Sequence, residues 1–272
     1  MPLEEVRTAI SWAQEEGWNP GHGDAAAFYA ADASGFLAGK HHDEIVATIS
    51  AVKYGTAFGF IGLYIVAPAF RGRGFGLSLW EEAMARLEGR NIGLDGVLAQ
   101  QDNYRKSGFQ LAHRNVRYAG KSVRAAGADR TVAIDGIAFS DLLKYDERFF
   151  PAERSAFLKH WIHADNSTTL AVVDGSRIRG YGSVRACHQG FKIGPLNADD
   201  AETAEALFRA LSASVPEGAD IFLDVPEPNR NAIKLALKYG MAPVFETARM
   251  YTRRFPDLPL DSIFGITSFE LG

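Results

Sequence analysis

The sequence lacks the features that mark several classes of protein. Its 272 residues contain a single cysteine, Cys187, so an internal disulfide and a cysteine-based zinc cluster are both excluded. The 29 basic and 33 acidic residues give a formal net charge of −4, which offers no basic footprint for nucleic acid or an anionic membrane. No apolar run approaches the length of a membrane span, and acidic residues interrupt positions 1–20, unlike in a signal peptide. We therefore expect a cytoplasmic protein with no metal, nucleic-acid or membrane partner.

A glycine-rich turn lies between two patterned segments of the first half. The apolar run Phe58–Val66 predicts a buried strand, and the residues after the turn follow a helical spacing. Alternate glycines leave the backbone bare, so several N–H groups can point into one concavity at the positive end of the helix dipole. The turn is thus predicted to bind a phosphate or a pyrophosphate. The turn contains Arg71, Gly72, Arg73, Gly74, Phe75 and Gly76, and the apolar face of the helix is predicted from Leu77, Trp80, Ala83, Met84 and Leu87.

This turn does not fit the two commonest nucleotide-binding patterns. No Gly-Lys-Ser/Thr follows it, and Leu77 occupies the third glycine position of Gly-x-Gly-x-x-Gly. It does contain Arg-x-x-Gly-x-Gly, as Arg71, Gly74 and Gly76. That motif resembles the pyrophosphate loop of the GNAT acetyltransferases, which hold the diphosphate of coenzyme A there. A glycine-rich turn that only reverses the chain is the alternative.

A second motif in the same half supports this resemblance. Residues Tyr104–Phe109 resemble the Tyr-x-x-x-Gly-Phe element of the GNAT family, at the distance from the loop that the family shows. The predicted order over residues 1–120 is helix, helix, strand, strand, strand, glycine loop, helix, strand, helix, strand. This order is similar to the topology of that family.

Residues 131–272 repeat the predicted order of elements, and short segments agree. Lys238–Met241 resembles Lys106–Phe109, and Ile221–Val225 resembles Ile92–Val97. An internal duplication is therefore predicted, although two unrelated units with shared strand–helix–strand residues are the alternative. The fold class is α/β (α+β), with two GNAT-like domains that each have a mixed, mostly antiparallel sheet flanked by helices. The predicted boundaries are 1–120 for the catalytic domain, 121–130 for a linker and 131–272 for a degenerate domain.

The second half lacks the residues that would bind a coenzyme. Its corresponding segment, Gly194–Asp200, has no Arg-x-x-Gly-x-Gly, and Pro195 removes a backbone N–H. The carboxylates of Asp199 and Asp200 would oppose an anion and suit caps for the following helix better. Ala236 stands at the position equivalent to Tyr104. The layout resembles bacterial tandem GNAT proteins in which the N-terminal domain is active.

The resemblance implies direct attack of an amine on the thioester of acetyl-CoA. Tyr104 then occupies the position of the family's general acid, although packing against the sheet is its other interpretation. A backbone N–H of the central strand would polarise the thioester carbonyl, which points to Tyr64, Ile65 or Val66. The coenzyme would be held by Arg71, Gly72, Arg73, Gly74, Phe75, Gly76 and Leu77.

No general base is identified from the sequence, because the central strand carries no carboxylate. The loop residues and one strand histidine are each better explained by structural roles: His22, Asp24, His41, His42, Asp43, Glu44 and His113. We therefore expect an acetyl-CoA-dependent N-acetyltransferase acting on a primary amine of a small molecule. A non-catalytic acyl-CoA-binding regulatory module is the alternative, and a longer acyl donor is left open. The second half is expected to shape the acceptor pocket or a homodimer contact.

Overall fold

The computed structural model describes residues 1–124 and 130–272. The helices in these ranges are α1 (Leu3–Glu15), α2 (Asp24–Ala31), α3 (Phe75–Arg86), α4 (Gln101–Lys106), α5 (Phe139–Asp146), α6 (Ser155–Trp161), α7 (Ala201–Ala213) and α8 (Arg230–Lys238). The strands are β1 (Phe36–His41), β2 (Glu44–Tyr54), β3 (Phe58–Val66), β4 (Asn91–Val97), β5 (Gln110–Lys121), β6 (Thr131–Ala133), β7 (Ser167–Asp174), β8 (Arg177–Ala186), β9 (Phe191–Ala198), β10 (Asp220–Pro226), β11 (Ala242–Tyr251) and β12 (Ile263–Gly265).

The predicted repetition of elements is confirmed. The order α1, α2, β1, β2, β3, α3, β4, α4, β5 recurs as α5, α6, β7, β8, β9, α7, β10, α8, β11, with β6 and β12 added. Each half also has a short parallel pair among antiparallel neighbours: β3 with β4, and β9 with β10. In both halves a helix crosses over between the two parallel strands, as a parallel connection requires.

The strands form one continuous sheet in which the halves exchange their last strands. The order is β1-β2-β3-β4-β11-β5-β10-β9-β8-β7-β6, and β12 pairs with β9 at the side. Strand β11 of the second half therefore lies between β4 and β5 of the first, while β5 pairs with β10. Because β5 continues to Lys121, its end overlaps the predicted linker, and residues 125–129 of that linker lie outside the described residues.

Buried ion pairs join the exchanged strands. Arg249 of β11 donates to Asp95 of β4 through Nε at 3.0 Å and through Nη2, and both side chains are buried. Arg117 of β5 makes a two-bond contact with Asp224 of β10, at 2.7 and 2.8 Å. Such two-bond contacts fix the register of the strands as well as neutralising the charges.

The core also joins the two halves. Helix α2 packs on α6, where the rings of Phe28 and Trp161 stack with centroids 6.1 Å apart. Beyond β12, residues 266–272 form an irregular, buried tail that runs back into the first half. Leu271 belongs to the same apolar cluster as Phe60 and Phe28.

Several sequence expectations about boundaries were wrong. The apolar run Phe264–Leu271 is not one strand, because only Ile263–Gly265 pair with β9 and Ile266 then bonds to Asp224 of β10. The segment Gly194–Asp200 does not follow its strand, since β9 continues to Ala198. Leu77 does not lie on the buried face of α3, being 62% exposed, and Leu79 is buried there instead.

The Arg249–Asp95 pair provides a test of the strand exchange. Arg249→Met is expected to lower the free energy of unfolding by about 3–5 kcal/mol, since it leaves the carboxylate of Asp95 buried without its cation. Arg114→Met is the matched control: its pair with Glu246 joins β5 and β11 but is half-exposed, so about 0–1 kcal/mol is expected. Urea unfolding followed by circular dichroism measures both, and equal losses would contradict this account of the exchange.

Candidate functional site

A cleft opens in the first half where its two parallel strands separate. The pairing of β3 with β4 runs from Phe58 opposite Asn91 to Ile61 opposite Leu94 and then ends. Past this point the strands diverge and enclose a cavity of about 430 Å³. Its lining includes Tyr64, Ile65, Val66, Arg71, Trp80, Asp95, Gly96 and Tyr104 from the first half, and Phe245, Thr247, Phe269 and Glu270 from the second.

A β-bulge lies on β3 at the mouth of this cleft. Ser50 of β2 is opposite Gly62 and Thr48 is opposite Ile65, so Leu63 and Tyr64 together face one residue of β2. Leu63 has φ +48°, and its carbonyl accepts a hydrogen bond from Thr48 Oγ1 at 2.9 Å. A bulge interrupts the regular ladder and turns backbone groups away from the partner strand. Since β4 has also diverged, this part of β3 presents its backbone to the cavity.

The glycine-rich turn has the backbone geometry expected of an anion-binding loop. A short 3₁₀ turn, Pro68–Phe70, follows β3, and Gly74 is the N-cap of α3 with φ +88°. Gly72 also has a positive φ, of +72°. Gly74 carries no side chain to bond the first N–H groups of α3, and it is exposed, so those donors are accessible to a ligand. The neighbouring Gly76 packs closely on β3, where an added Cβ would lie 2.7 Å from the hydroxyl of Tyr64.

The two arginines of the turn are held by other parts of the first half. Arg71 donates to the carbonyl of Val66 at 2.9 Å and pairs with Glu16, which follows α1. The guanidinium of Arg73 lies 5.0 Å from the ring centroid of Phe70. The ring centroid of Phe75 lies 5.6 Å from the same guanidinium. Both arginines are exposed.

Tyr104 lies at the β4 side of the cavity on α4. Its ring packs over Gly96, where an added Cβ would lie 2.2 Å from the ring. The ring centroids of Tyr104 and Trp80 are 5.6 Å apart. Burial, with a smaller contribution from Tyr64, raises the pKa of Tyr104 to about 12. The hydroxyl has no hydrogen-bond partner among the described residues. It therefore stays protonated across the working pH range and is available to donate a proton.

The remaining sequence candidates lie in other places. Asp24 is buried and paired with Arg185 at 2.8 Å. His113 lines a different cavity, and burial together with Arg249 lowers the pKa of its imidazole to about 3. The segment from His41 to Glu44 forms the tight turn between β1 and β2, with His41 packed against the rings of Phe70 and Phe75.

The second half contributes residues to the cavity that the sequence analysis did not identify. Phe245 and Thr247 arrive through the exchanged strand β11, and Phe269 and Glu270 through the buried tail. An added Cβ on Gly62 would lie 2.0 Å from the carbonyl oxygen of Glu270, so only a glycine in β3 permits this approach. The one local signal is a glutamate within an apolar C-terminal run, which does not indicate a distant cleft.

The equivalent cleft of the second half is filled by its own chain. Pairing of β9 with β10 ends at Ile193 opposite Leu223, and β12 then pairs with β9 at Leu196 and Asn197. The N–H of Ile266 also donates to the carbonyl of Asp224 on β10, at 2.9 Å. No glycine loop precedes α7, which is capped by the side chain of Asp200 bonding to the Thr203 N–H at 2.8 Å.

Asp199 differs from the expectation that both carboxylates are caps. It accepts bonds from Tyr145 and from the exposed Arg148 and Arg177 instead. This acidic pair still leaves the start of α7 unsuited to an anion.

Comparison with known proteins matches both halves to one family. The sequence model described as "Acetyltransferase (GNAT) family" matches residues 3–109, and "Acetyltransferase (GNAT) domain" matches residues 142–265. The "Holothin acyltransferase" of Pseudoalteromonas sp. (strain SANK 73390) is 33% identical over 273 residues, covering 99% of this chain and 92% of that protein. The chain belongs to the GNAT acetyltransferase family. It is an acyltransferase, and GNAT enzymes use acyl-CoA as their co-substrate.

Solved structures agree with this fold. A candidate acetyltransferase from Pyrococcus horikoshii superposes with a TM-score of 0.83 at 21% identity, covering 100% of this chain and 94% of that one. The "Tandem GNAT protein from the clavulanic acid biosynthesis pathway" superposes with a TM-score of 0.62 at 11% identity, covering 92% and 96%. The predicted tandem GNAT organisation is therefore confirmed. Among the described residues, no helix combines the length and the apolar character needed to span a membrane.

Proposed function

We propose that this GNAT enzyme transfers an acetyl group from acetyl-CoA to a primary amine of a small molecule, by direct attack of the amine on the thioester. The open cleft of the first half carries this proposal, because the bulged central strand, Arg71 and Tyr104 line one cavity, and the glycine-rich N-terminus of α3 directly follows Arg71 in the chain. In the second half, by contrast, β12 and Ile266 occupy the equivalent space between β9 and β10.

Each part of the cleft has a defined role in this proposal. The N–H groups from Arg71 to Leu77 hold the diphosphate of the coenzyme at the start of α3. A backbone N–H at Tyr64, Ile65 or Val66 binds the thioester oxygen as negative charge develops on it. One fixed donor of this kind contributes about 3–4 kcal/mol to the barrier reduction. Tyr104 then protonates the departing thiolate.

A non-catalytic acyl-CoA-binding module fits the observations less well. Such a module has no need of an unpaired, protonated tyrosine beside the open strands. The full-length relative is named as an acyltransferase of holothin, which supports catalysis and also makes holothin one acceptor to examine. Its name specifies an acyl rather than an acetyl group, so the donor must be varied as well.

A thiol-release assay tests this function. With acetyl-CoA and a panel of 2-phenylethylamine, spermidine, ethanolamine, lysine and holothin, we expect thiol release with at least one amine and its acetylated product by mass spectrometry. Hexanoyl-CoA in place of acetyl-CoA tests the donor, and faster transfer with it would contradict the acetyl assignment. Acetyl-CoA binding without thiol release from any donor or amine would instead favour the regulatory module.

A further inference from the structure

The cavity of the first half reaches both faces of the sheet. Beyond the bulge, the side chains of β3 point to opposite faces in turn. Leu63 and Ile65 belong to the apolar cluster that contains α1, and Tyr64 and Val66 pack on the cluster that contains α3. All four line the cavity. Because the glycine-rich turn and Tyr104 lie on the α3 side, the α1 side is left for a second substrate.

One accessible carboxylate stands on this α1 side. Among the described residues that line the cavity, the acidic ones are Glu16, Asp95 and Glu270. The side chains of Asp95 and Glu270 are buried, so a ligand arriving from solvent does not meet them. Glu16 is exposed and directly follows the end of α1. It is therefore the carboxylate of this cavity that a dissolved substrate can contact.

In the structure Glu16 is paired with the glycine-rich turn. Nη2 of Arg71 contacts the carboxylate of Glu16, while Nε of Arg71 donates to the carbonyl of Val66 at 2.9 Å. Both charged side chains line the cavity and both are half-exposed. An ion pair so exposed contributes little to stability, so a ligand can replace one partner at small cost. The pair thus links the turn to the α1 side across the cavity mouth.

A diphosphate bound at the start of α3 would compete with Glu16 for Arg71. It carries more negative charge than one carboxylate, and a guanidinium binds two phosphate oxygens at once. Once Arg71 turns to the diphosphate, the carboxylate of Glu16 is left without its cation. It can then accept hydrogen bonds from a ligand, and an ammonium group is the ligand that also neutralises its charge.

The walls beside Glu16 favour an apolar body on that ammonium. Trp18 follows Glu16 by two residues and lines the cavity with Leu63, Ile65 and Phe269. The carbonyl of Trp18 accepts a hydrogen bond from the buried Arg117 at 2.7 Å, which fixes this segment. Aromatic faces attract organic cations and bury apolar groups.

We infer that Glu16 binds the ammonium of the acceptor and that coenzyme binding releases it from Arg71 to do so. This rests on the proposed function. The acceptor is then a primary amine on an apolar or aromatic body, and it binds well only after the coenzyme. Because coupling between two ligands is reciprocal, a bound amine should strengthen coenzyme binding by the same factor.

Glu16→Gln tests the ammonium site with 2-phenylethylamine as the acceptor. We expect kcat/KM to fall by about 10–100-fold, mainly through KM, since a charge-assisted hydrogen bond is lost. The affinity for acetyl-CoA should stay the same or rise by up to about 5-fold, because the competing charge on Arg71 is gone. O-benzylhydroxylamine has a similar size but is uncharged at neutral pH, so its KM should change little. Glu15→Gln is the matched control, because Glu15 is exposed on α1 and is not among the residues lining the cavity.

Calorimetry with 2-phenylethylamine tests the release from Arg71. CoA replaces acetyl-CoA here, so that no transfer takes place. The wild type should bind the amine at least about 10-fold more tightly with CoA than without it. Arg71→Met leaves Glu16 free from the start, so this variant should bind the amine without CoA about as tightly as the wild type does with it. Equal binding by the wild type in both conditions would contradict the release.

The outcomes separate this inference from the proposed function. If the wild type acetylates no amine of the panel, the proposed function fails. If it does, but Glu16→Gln keeps the wild-type KM for 2-phenylethylamine, only the role of Glu16 fails. Weaker acetyl-CoA binding in Glu16→Gln would show that the pair merely positions the turn. Transfer to ethanolamine but not to 2-phenylethylamine would overturn the preference for an apolar body.

Discussion

Replacing Tyr104 with phenylalanine is expected to lower kcat by about 100–1,000-fold while the affinity for acetyl-CoA stays the same. General acids contribute about 10²–10⁴-fold, and here the departing thiolate would depend on proton transfer from water. The ring contacts with Trp80 and Gly96 remain in the variant, so the change removes only the hydroxyl. Steady-state kinetics with a saturating amine, together with calorimetry for the coenzyme, measures both quantities.

The thermal stability of Tyr104→Phe checks that the substitution removes only the hydroxyl. Because the Tyr104 hydroxyl has no hydrogen-bond partner among the described residues, Tm should change little. Tyr118→Phe, in the apolar cluster of the second half, is a matched control that should keep wild-type kcat.

With its pKa raised to about 12, Tyr104 should also give no basic limb in the pH–rate profile below about pH 11. Full activity of Tyr104→Phe would remove the general-acid role and leave the packing interpretation.

Gly74→Asp is expected to weaken acetyl-CoA binding by at least about 100-fold. A carboxylate at the N-cap of α3 would accept hydrogen bonds from the N–H groups that the diphosphate needs. It would also repel the negative charge of the diphosphate. Two charge-assisted hydrogen bonds, each contributing about 1.5–3 kcal/mol, are more than sufficient for this loss. Isothermal titration with acetyl-CoA measures the effect, and the helix itself should stay folded because aspartate is a good N-cap.

Two controls separate charge from backbone strain. Gly74→Asn has the same shape and the same tolerance of φ +88° but no charge, so it should lose much less affinity. Gly89→Asp places the same charge at another left-handed, exposed glycine, beyond the C-terminal end of α3, and should bind acetyl-CoA normally. Equal affinities of Gly74→Asp and the wild type would show that the coenzyme is not held at this turn.

The local chemistry of the cleft could be predicted because it is encoded in contiguous residues. The turn from Arg71 to Leu77 has its glycines where positive φ values and close packing require them, and this requirement is visible in sequence spacing. The segment Tyr104–Phe109 is likewise recognised from the spacing of neighbouring residues. The degenerate second half also follows from local residues, since Asp200 stands at the start of α7, where a coenzyme loop would need free N–H groups.

The contribution of the second half to the cavity was decided only by the tertiary structure. The predicted order ends each half with a strand, but either β5 or β11 could complete its own half, and the buried Arg249–Asp95 and Arg117–Asp224 pairs join each to the other half. The approach of Glu270 to Gly62 joins residues 208 positions apart in sequence, at 270 and 62. By itself the sequence thus predicted the glycine-rich turn and the Tyr104 segment, which depend on neighbouring residues. The exchanged strands and the approach of the C-terminal tail to β3 depend on long-range packing that no local pattern records.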